Sequence, residues 1–224
     1  VLLDPLKVPV WVRGEESLTL LGRRSESLDL LALGGSVATP AGGIEAPIVV
    51  IKTFAELGPQ VKGKIVLYNH PMGSTSPAIG EYGPAVAYRG RGASRAAEFG
   101  AAAVLVRSVT ARSLHTPHTG AMRYDDAWPQ VPAAAITTED ADRLERLAAI
   151  GEVRVKLQLG AHTLPDADAV NVIGELRGSD LPNEVVVIGG HLDSWDVGQG
   201  ASDDGAGIVE SVEALRLLAK SGAP

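Results

Sequence analysis

An imidazole and four carboxylates crowd into the stretch "HLDSWDVGQGASDDGAG", residues 191–207. His191 and Asp193 form an H-x-D pair, and Asp203 follows ten residues after Asp193. Imidazole nitrogen and hard carboxylate oxygen are the ligands that suit zinc when no thiolate is on offer, and this chain has no cysteine. A carboxylate two residues from an imidazole can orient the ring or polarise a water. Between them "WDVGQGAS" holds Gly198 and Gly200, whose backbone freedom would let the chain turn tightly enough to bring His191 and Asp203 to one point. Each fragment alone has a plainer reading, since a histidine at a strand end is common and "DDG" is an ordinary turn. The combination is far more specific, yet it makes only half a metal site.

The surrounding pattern supplies the scaffold. "AVNVIGEL" (169–176) and "NEVVVIGGH" (183–191) read as strands, the second so apolar that it should be buried on both faces of a helix-covered sheet. His191 would then sit at the carboxyl edge of that sheet, where open α/β folds bind ligands. Ile208, Val209, Val212, Leu215 and Ala219 recur at helical spacing, which predicts an amphipathic helix packing onto the same sheet. Upstream, "PIVVI", "GKIVLYN", "AAAVLVRS", "VPAAAIT" and "EVRVKLQL" are strands, and "ASRAAEFG" and "TEDADRLERLAAIG" are helices ended by Gly100 and Gly151. Gly, Pro and Ser crowd residues 70–92, which predicts a long surface loop, and residues 109–130 predict a second. Residues 1–38 hold two strand-like runs that fit either a hairpin or a connection between domains, and "GAHTLPDAD" (160–168) reads as a linker. The fold class is α/β, with division expected into residues 1–38, a β-rich domain over 39–162, and an incomplete α/β sheet domain over 163–224.

Bulk composition removes several classes of function. The chain carries 27 acidic against 20 basic residues, a formal charge of −7, and no basic stripe, which argues against nucleic acid as partner. Its apolar runs fall far short of the roughly 20 residues that cross a bilayer. No G-x-S-x-G elbow occurs, and "GRGASR" has too few glycines for a phosphate loop. His115 and His118 stand three residues apart in "SLHTPHTG", but a Pro-broken loop lacks the fixed face that would make them a metal pair. The amino terminus has neither an initiating Met nor a signal pattern, and the last helix has no element after it, so a piece of a longer protein is expected.

The series "VVVIGG-HLD-SWDVGQ-GASDDGAG-IVESVEALRLL" resembles the M28 family of metallopeptidases, whose hallmark is an apolar strand, H-x-D, a short Gly-containing loop, and G-A-x-D-D/N-G/A-x-G opening a helix. "VPVWVRGEES", "GKIVLYN", "RSV", "PHTG" and "ITTEDA" fall in the order shown by one subgroup, so the resemblance covers essentially the whole chain. It implies a protease-associated (PA) domain inserted in a zinc-peptidase domain, and an exopeptidase that hydrolyses dipeptides or small peptides with two zincs per complete site. It implies His191 as a terminal zinc ligand, Asp203 as the bridging carboxylate, Asp193 as the residue holding His191 in its tautomer, and His118 as a substrate contact. It further implies a secreted or periplasmic protein and leaves a homodimer open. The family's catalytic Glu and its other ligands would follow residue 224, which makes this chain an inactive portion. The alternative is a non-catalytic PA-domain binding module.

Overall fold

Pairing direction changes in the middle of one strand, and the sheet of residues 9–166 is organised around that change. A computed structural model describes residues 1–73, 79–112 and 114–222. Its strands are β1 (Leu2–Val12), β2 (Glu16–Leu21), β3 (Glu26–Leu28), β4 (Leu30–Ala32), β5 (Ile44–Ile51), β6 (Ile65–Tyr68), β7 (Ala103–Arg107), β8 (Ala133–Ile136), β9 (Arg154–Leu159) and β10 (His162–Ile173). Its helices are α1 (Ile79–Ala97), α2 (Thr138–Ala148) and α3 (Ala206–Ser221). Eight strands form one sheet in the order β3-β2-β9-β5-β6-β7-β8-β4. The first half of β5, Ile44 to Pro47, pairs antiparallel with β9, while its second half, Ile48 to Ile51, pairs parallel with β6. β6 and β8 are buried at every position, as expected where helices cover both faces of a parallel sheet. β9 instead buries Val155, Leu157 and Leu159 and exposes Lys156 and Gln158.

Alternation along the parallel strands divides the core into two. Ile65, Leu67, Leu105 and Ile136 face one side with Ala141 and Leu144 of α2. Val66, Tyr68, Val104 and Val106 face the other with Ala93, Ala96 and Ala97 of α1. The α2 cap is built from sequence: Thr137 Oγ1 accepts from Asp140 N–H at 3.0 Å. Residues 1–38 contribute three strands to this sheet, including an antiparallel β2–β3 hairpin in which Leu18 faces Leu28.

α1 departs from the sequence expectation. The loop expected over residues 70–92 is helix from Ile79 onward, with Pro84 inside it; residues 74–78 of that loop lie outside the described residues. Gly and Pro punctuation hid a stripe at helical spacing, Ala85, Tyr88, Gly92 and Ala96, whose small members let the helix approach the sheet. A Cβ at Gly92 would stand 2.7 Å from the Tyr68 ring, and the Tyr68 hydroxyl donates to Gly92 O at 3.0 Å.

Gly14, between β1 and β2, has φ +69°, and a Cβ there would lie 2.5 Å from Gly160 O and 2.7 Å from Gly160 C, both backbone. Left-handed backbone costs a substituted residue about 1–2 kcal/mol before any clash. Gly14→Ala is therefore expected to destabilise the chain by at least about 2 kcal/mol. Urea unfolding checks it, and an unchanged midpoint refutes it.

Residue contacts divide the chain into a unit of residues 9–166 and a unit of residues 1–8 with 167–224. The second unit departs most from expectation. The expected linker 160–168 is largely strand, since β10 starts at His162 and pairs with β1. Near the paired ends Lys7 contacts Asp168 at 2.7 Å, and Asn171 Nδ2 donates to Asp4 at 3.1 Å. The apolar run Val185–Ile188 is neither paired nor buried: Val186 is 89% exposed, and Val209 and Val212 of α3 are exposed as well. High β-propensity makes a strand only against a neighbour, and among the described residues no strand pairs with this run. α3 forms as expected, but Val209, Val212, Leu217 and Leu218 along it remain exposed. Among the described residues no helix is long and apolar enough to cross a membrane.

Candidate metal centre

The residues between the apolar run and α3 fold back on themselves. Gly198 N–H donates to Trp195 O at 2.9 Å, closing one turn, and Gly205 N–H donates to Gly200 O at 2.8 Å, closing the next. Gly200 sits at φ +64°, the conformation for which the sequence needs glycine there. Asp203 and Asp204 have non-helical dihedrals ahead of α3, and the peptide between them is cis.

This folding brings His191, Asp193 and Asp203 together. His191 Nε2 lies 3.0 Å from Asp203 Oδ1. On the other side of the ring, Nδ1 lies 2.8 Å from the Asp193 carbonyl and 3.3 Å from Asp193 Oδ1. Asp193 thus orients the ring first through its backbone and only second through its carboxylate. With Nδ1–H donated to that carbonyl, Nε2 and Asp203 Oδ1 are two acceptors in contact, and such a contact is favourable only with a cation between them. The Asp193 carbonyl hydrogen bond, then Asp203, raise the His191 pKa above its ordinary value, which favours a proton in that place. A metal ion would serve as well. Tetrahedral zinc holds imidazole nitrogen and carboxylate oxygen roughly 3.3 Å apart, so the pair needs to open by only a few tenths of an ångström. Both Asp side chains are about nine-tenths exposed, which leaves their remaining oxygens accessible.

Asp204 carried no role in the sequence reading, and the structure gives it two contacts. Its Oδ2 accepts from His191 N–H at 3.3 Å and its Oδ1 from Gly207 N–H at 3.1 Å. The available signal was a capping pattern, a carboxylate three residues ahead of an amide in the first turn of a helix.

His118 belongs to the other unit, on the loop after β7. Its N–H donates to Ser108 Oγ at 2.8 Å, and its Nδ1 lies 2.8 Å from Val109 O. His115 lies against carboxylates instead, Nδ1 3.4 Å from Asp29 and Nε2 3.8 Å from Asp140. Among the described residues no group of three or more His, Cys, Asp or Glu converges as a metal site, so His191 and Asp203 remain a pair.

Known proteins give this geometry its context. Residues 171–224 match the model of peptidase family M28. Carboxypeptidase Q of Xenopus laevis is 50% identical over 97% of this chain and 46% of its own length. The human carboxypeptidase Q is 45% identical over 96% of this chain and 45% of its own length, so the chain spans about half the length of the curated relatives it matches. A crystal structure of a peptidase M28 precursor from Shewanella amazonensis superposes with a TM-score of 0.85 at 39% identity, covering 92% of this chain and 47% of that one. These likenesses support a mixed, sheet-rich α/β fold of the M28 type. Residues 171–224 thus match peptidase family M28, and along its whole length the chain is similar to about half of each of these relatives.

Proposed function

We propose that this chain is the metal-anchoring part of a zinc-dependent exopeptidase that hydrolyses dipeptides or small peptides. The observation that carries the reading is the approach of His191 Nε2 to Asp203 Oδ1, 3.0 Å apart across a turn that opens a helix. His191 is the terminal ligand, Asp203 the bridging carboxylate, and Asp193 keeps Nδ1 occupied so that Nε2 is free for the metal. A bound zinc pair would polarise the scissile carbonyl and lower the pKa of its water. In this reading the residues of this chain orient and neutralise, and a base with further ligands completes the site. Residues 39–162 are read as a PA domain, joined by β2–β4 and inserted into a peptidase domain whose first part is 163–224. His118 is read as a contact to substrate. Two zincs per complete site and a secreted or periplasmic setting complete the proposal.

Two ligands leave zinc mostly hydrated, so calorimetry on the 224-residue chain should find no tight stoichiometric site, and that chain alone should hydrolyse no dipeptide. The weak binding should depend on pH in one direction. Because the pKa of His191 is raised, a proton holds the Nε2 position below that pKa and must leave before zinc enters. Affinity should fall about tenfold per pH unit on acidification below it, and His191→Ala should remove the dependence. Tight binding of two zincs, or binding indifferent to pH, contradicts the ligand assignment.

A second reading, a non-catalytic PA-domain binding module, draws on the absence of a three-ligand group among the described residues. A protein extended to the length of the relatives separates the two: chelator-sensitive dipeptide hydrolysis supports the enzyme, and its absence in a zinc-loaded extended protein supports the module.

A further inference from the structure

The carboxylate of Asp204 lies where two glycines leave room for it. A Cβ on Gly190 would stand 2.8 Å from Asp204 Oδ2 and 2.8 Å from Ile208 N, and a Cβ on Gly207 would stand 2.9 Å from Asp204 Cγ and 2.9 Å from its Oδ2. Gly190 immediately precedes His191, and Gly207 lies in the first turn of α3. The two oxygens reach the amides of those same places, Oδ2 the N–H of His191 and Oδ1 the N–H of Gly207. One carboxylate therefore joins the backbone that carries the imidazole to the helix start that follows Asp203.

We infer that Asp204 is a positioning residue that clasps the His191 backbone to the first turn of α3, so that its neighbour Asp203 is held against His191 Nε2. The inference rests on the metal reading above and deepens it. Charge-assisted hydrogen bonds to two amides are strong enough to fix a turn, and a negative charge at a helix amino terminus is favourable in itself. A ligand pair fixed before the metal arrives spares the ordering cost of assembling it. Asp204 touches neither His191 Nε2 nor Asp203 Oδ1, so it acts only through the backbone it holds. The "GGH" and "DDGAG" glycines become parts of the same device, the clearance for its carboxylate.

The test uses the 224-residue chain with Asp204→Ala, Asp204→Asn and Gly207→Ala, read by amide hydrogen exchange at residues 191 and 207 and by zinc competition against a chromophoric chelator. Asp204→Ala should speed exchange at both amides about tenfold and weaken zinc binding by about as much, with α3 still helical. Asp204→Asn keeps one neutral acceptor and should recover part of both. Gly207→Ala gives a discriminating sign: alanine favours helix, so circular dichroism should gain helical signal while zinc affinity falls, because the new methyl displaces the carboxylate. Unchanged exchange at both amides in Asp204→Ala, or unchanged zinc affinity in both Asp204→Ala and Gly207→Ala, overturns the inference. If His191→Ala and Asp203→Ala bind zinc as well as the parent, the metal reading falls, and the exchange data alone then decide whether Asp204 is the clasp.

Discussion

In a protein that carries this chain together with the further length of its relatives, Asp203→Asn will lower kcat/KM for a dipeptide by at least about a hundredfold. Changes to groups that merely orient a metal ligand typically cost 10- to 100-fold, and a bridging ligand should cost no less. The substitution keeps the shape of the side chain but removes its charge and turns one of its two acceptors into a donor. His191 Nε2, 3.0 Å from Oδ1, would lose the partner that makes a shared cation favourable. Asp193→Ala should be milder, within about tenfold, because the shorter contact to the ring is the Asp193 carbonyl at 2.8 Å, which any residue retains. Steady-state kinetics with the zinc content measured on the same sample provide the check. Full activity with Asn at position 203 would end the ligand assignment.

The largest effect on stability is expected at Leu157. It is fully buried in β9, faces Leu18 of β2 on one side and Ile44 of β5 on the other, and belongs to the cluster shared with α2. A central position closed on both flanks cannot collapse around a missing isobutyl group. Leu157→Ala should therefore cost about 3–4 kcal/mol and lower the melting temperature by roughly 10 °C. Lys156, its exposed neighbour, supplies the control: Lys156→Ala should stay within about 0.5 kcal/mol. Comparable losses from the two would mean that the inward and outward faces of β9 are misassigned.

What the sequence disclosed depended on whether the signal was local. β6, β7 and β8 are short apolar runs bounded by turn residues, and β9 alternates strictly, so their burial could be read directly. α1 could not, because its helical stripe is made of alanine and glycine, and its Pro84 argues for a loop; packing against Tyr68 overrides both. Val185–Ile188 shows the opposite failure, a strong strand signal with no strand beside it among the described residues. At the candidate site, the residue types and the turn glycines announced that His191 and Asp203 would meet. Asp204 escaped in part: its capping distance to Gly207 was visible, but its contact to the His191 amide was not, because an amide has no residue type to recognise. Likewise nothing in "GKIVLYN" or "EVRVKLQL" says that both will flank β5, since strand order is a property of pairing over distance.

That order has a kinetic consequence. β2 ends at Leu21 and its partner β9 begins at Arg154, so more than half of the chain must be made before their ladder can start. β5, β6 and β7 are nearer in sequence and can pair as they emerge, each new strand extending a parallel set. At a synthesis rate of about 5–20 residues per second, the edge of β2 that takes β9 stays open for many seconds. Closing long loops late is slow and leaves sticky edges open to other chains. The antiparallel half of the sheet is thus the last part that the order of synthesis allows to pair.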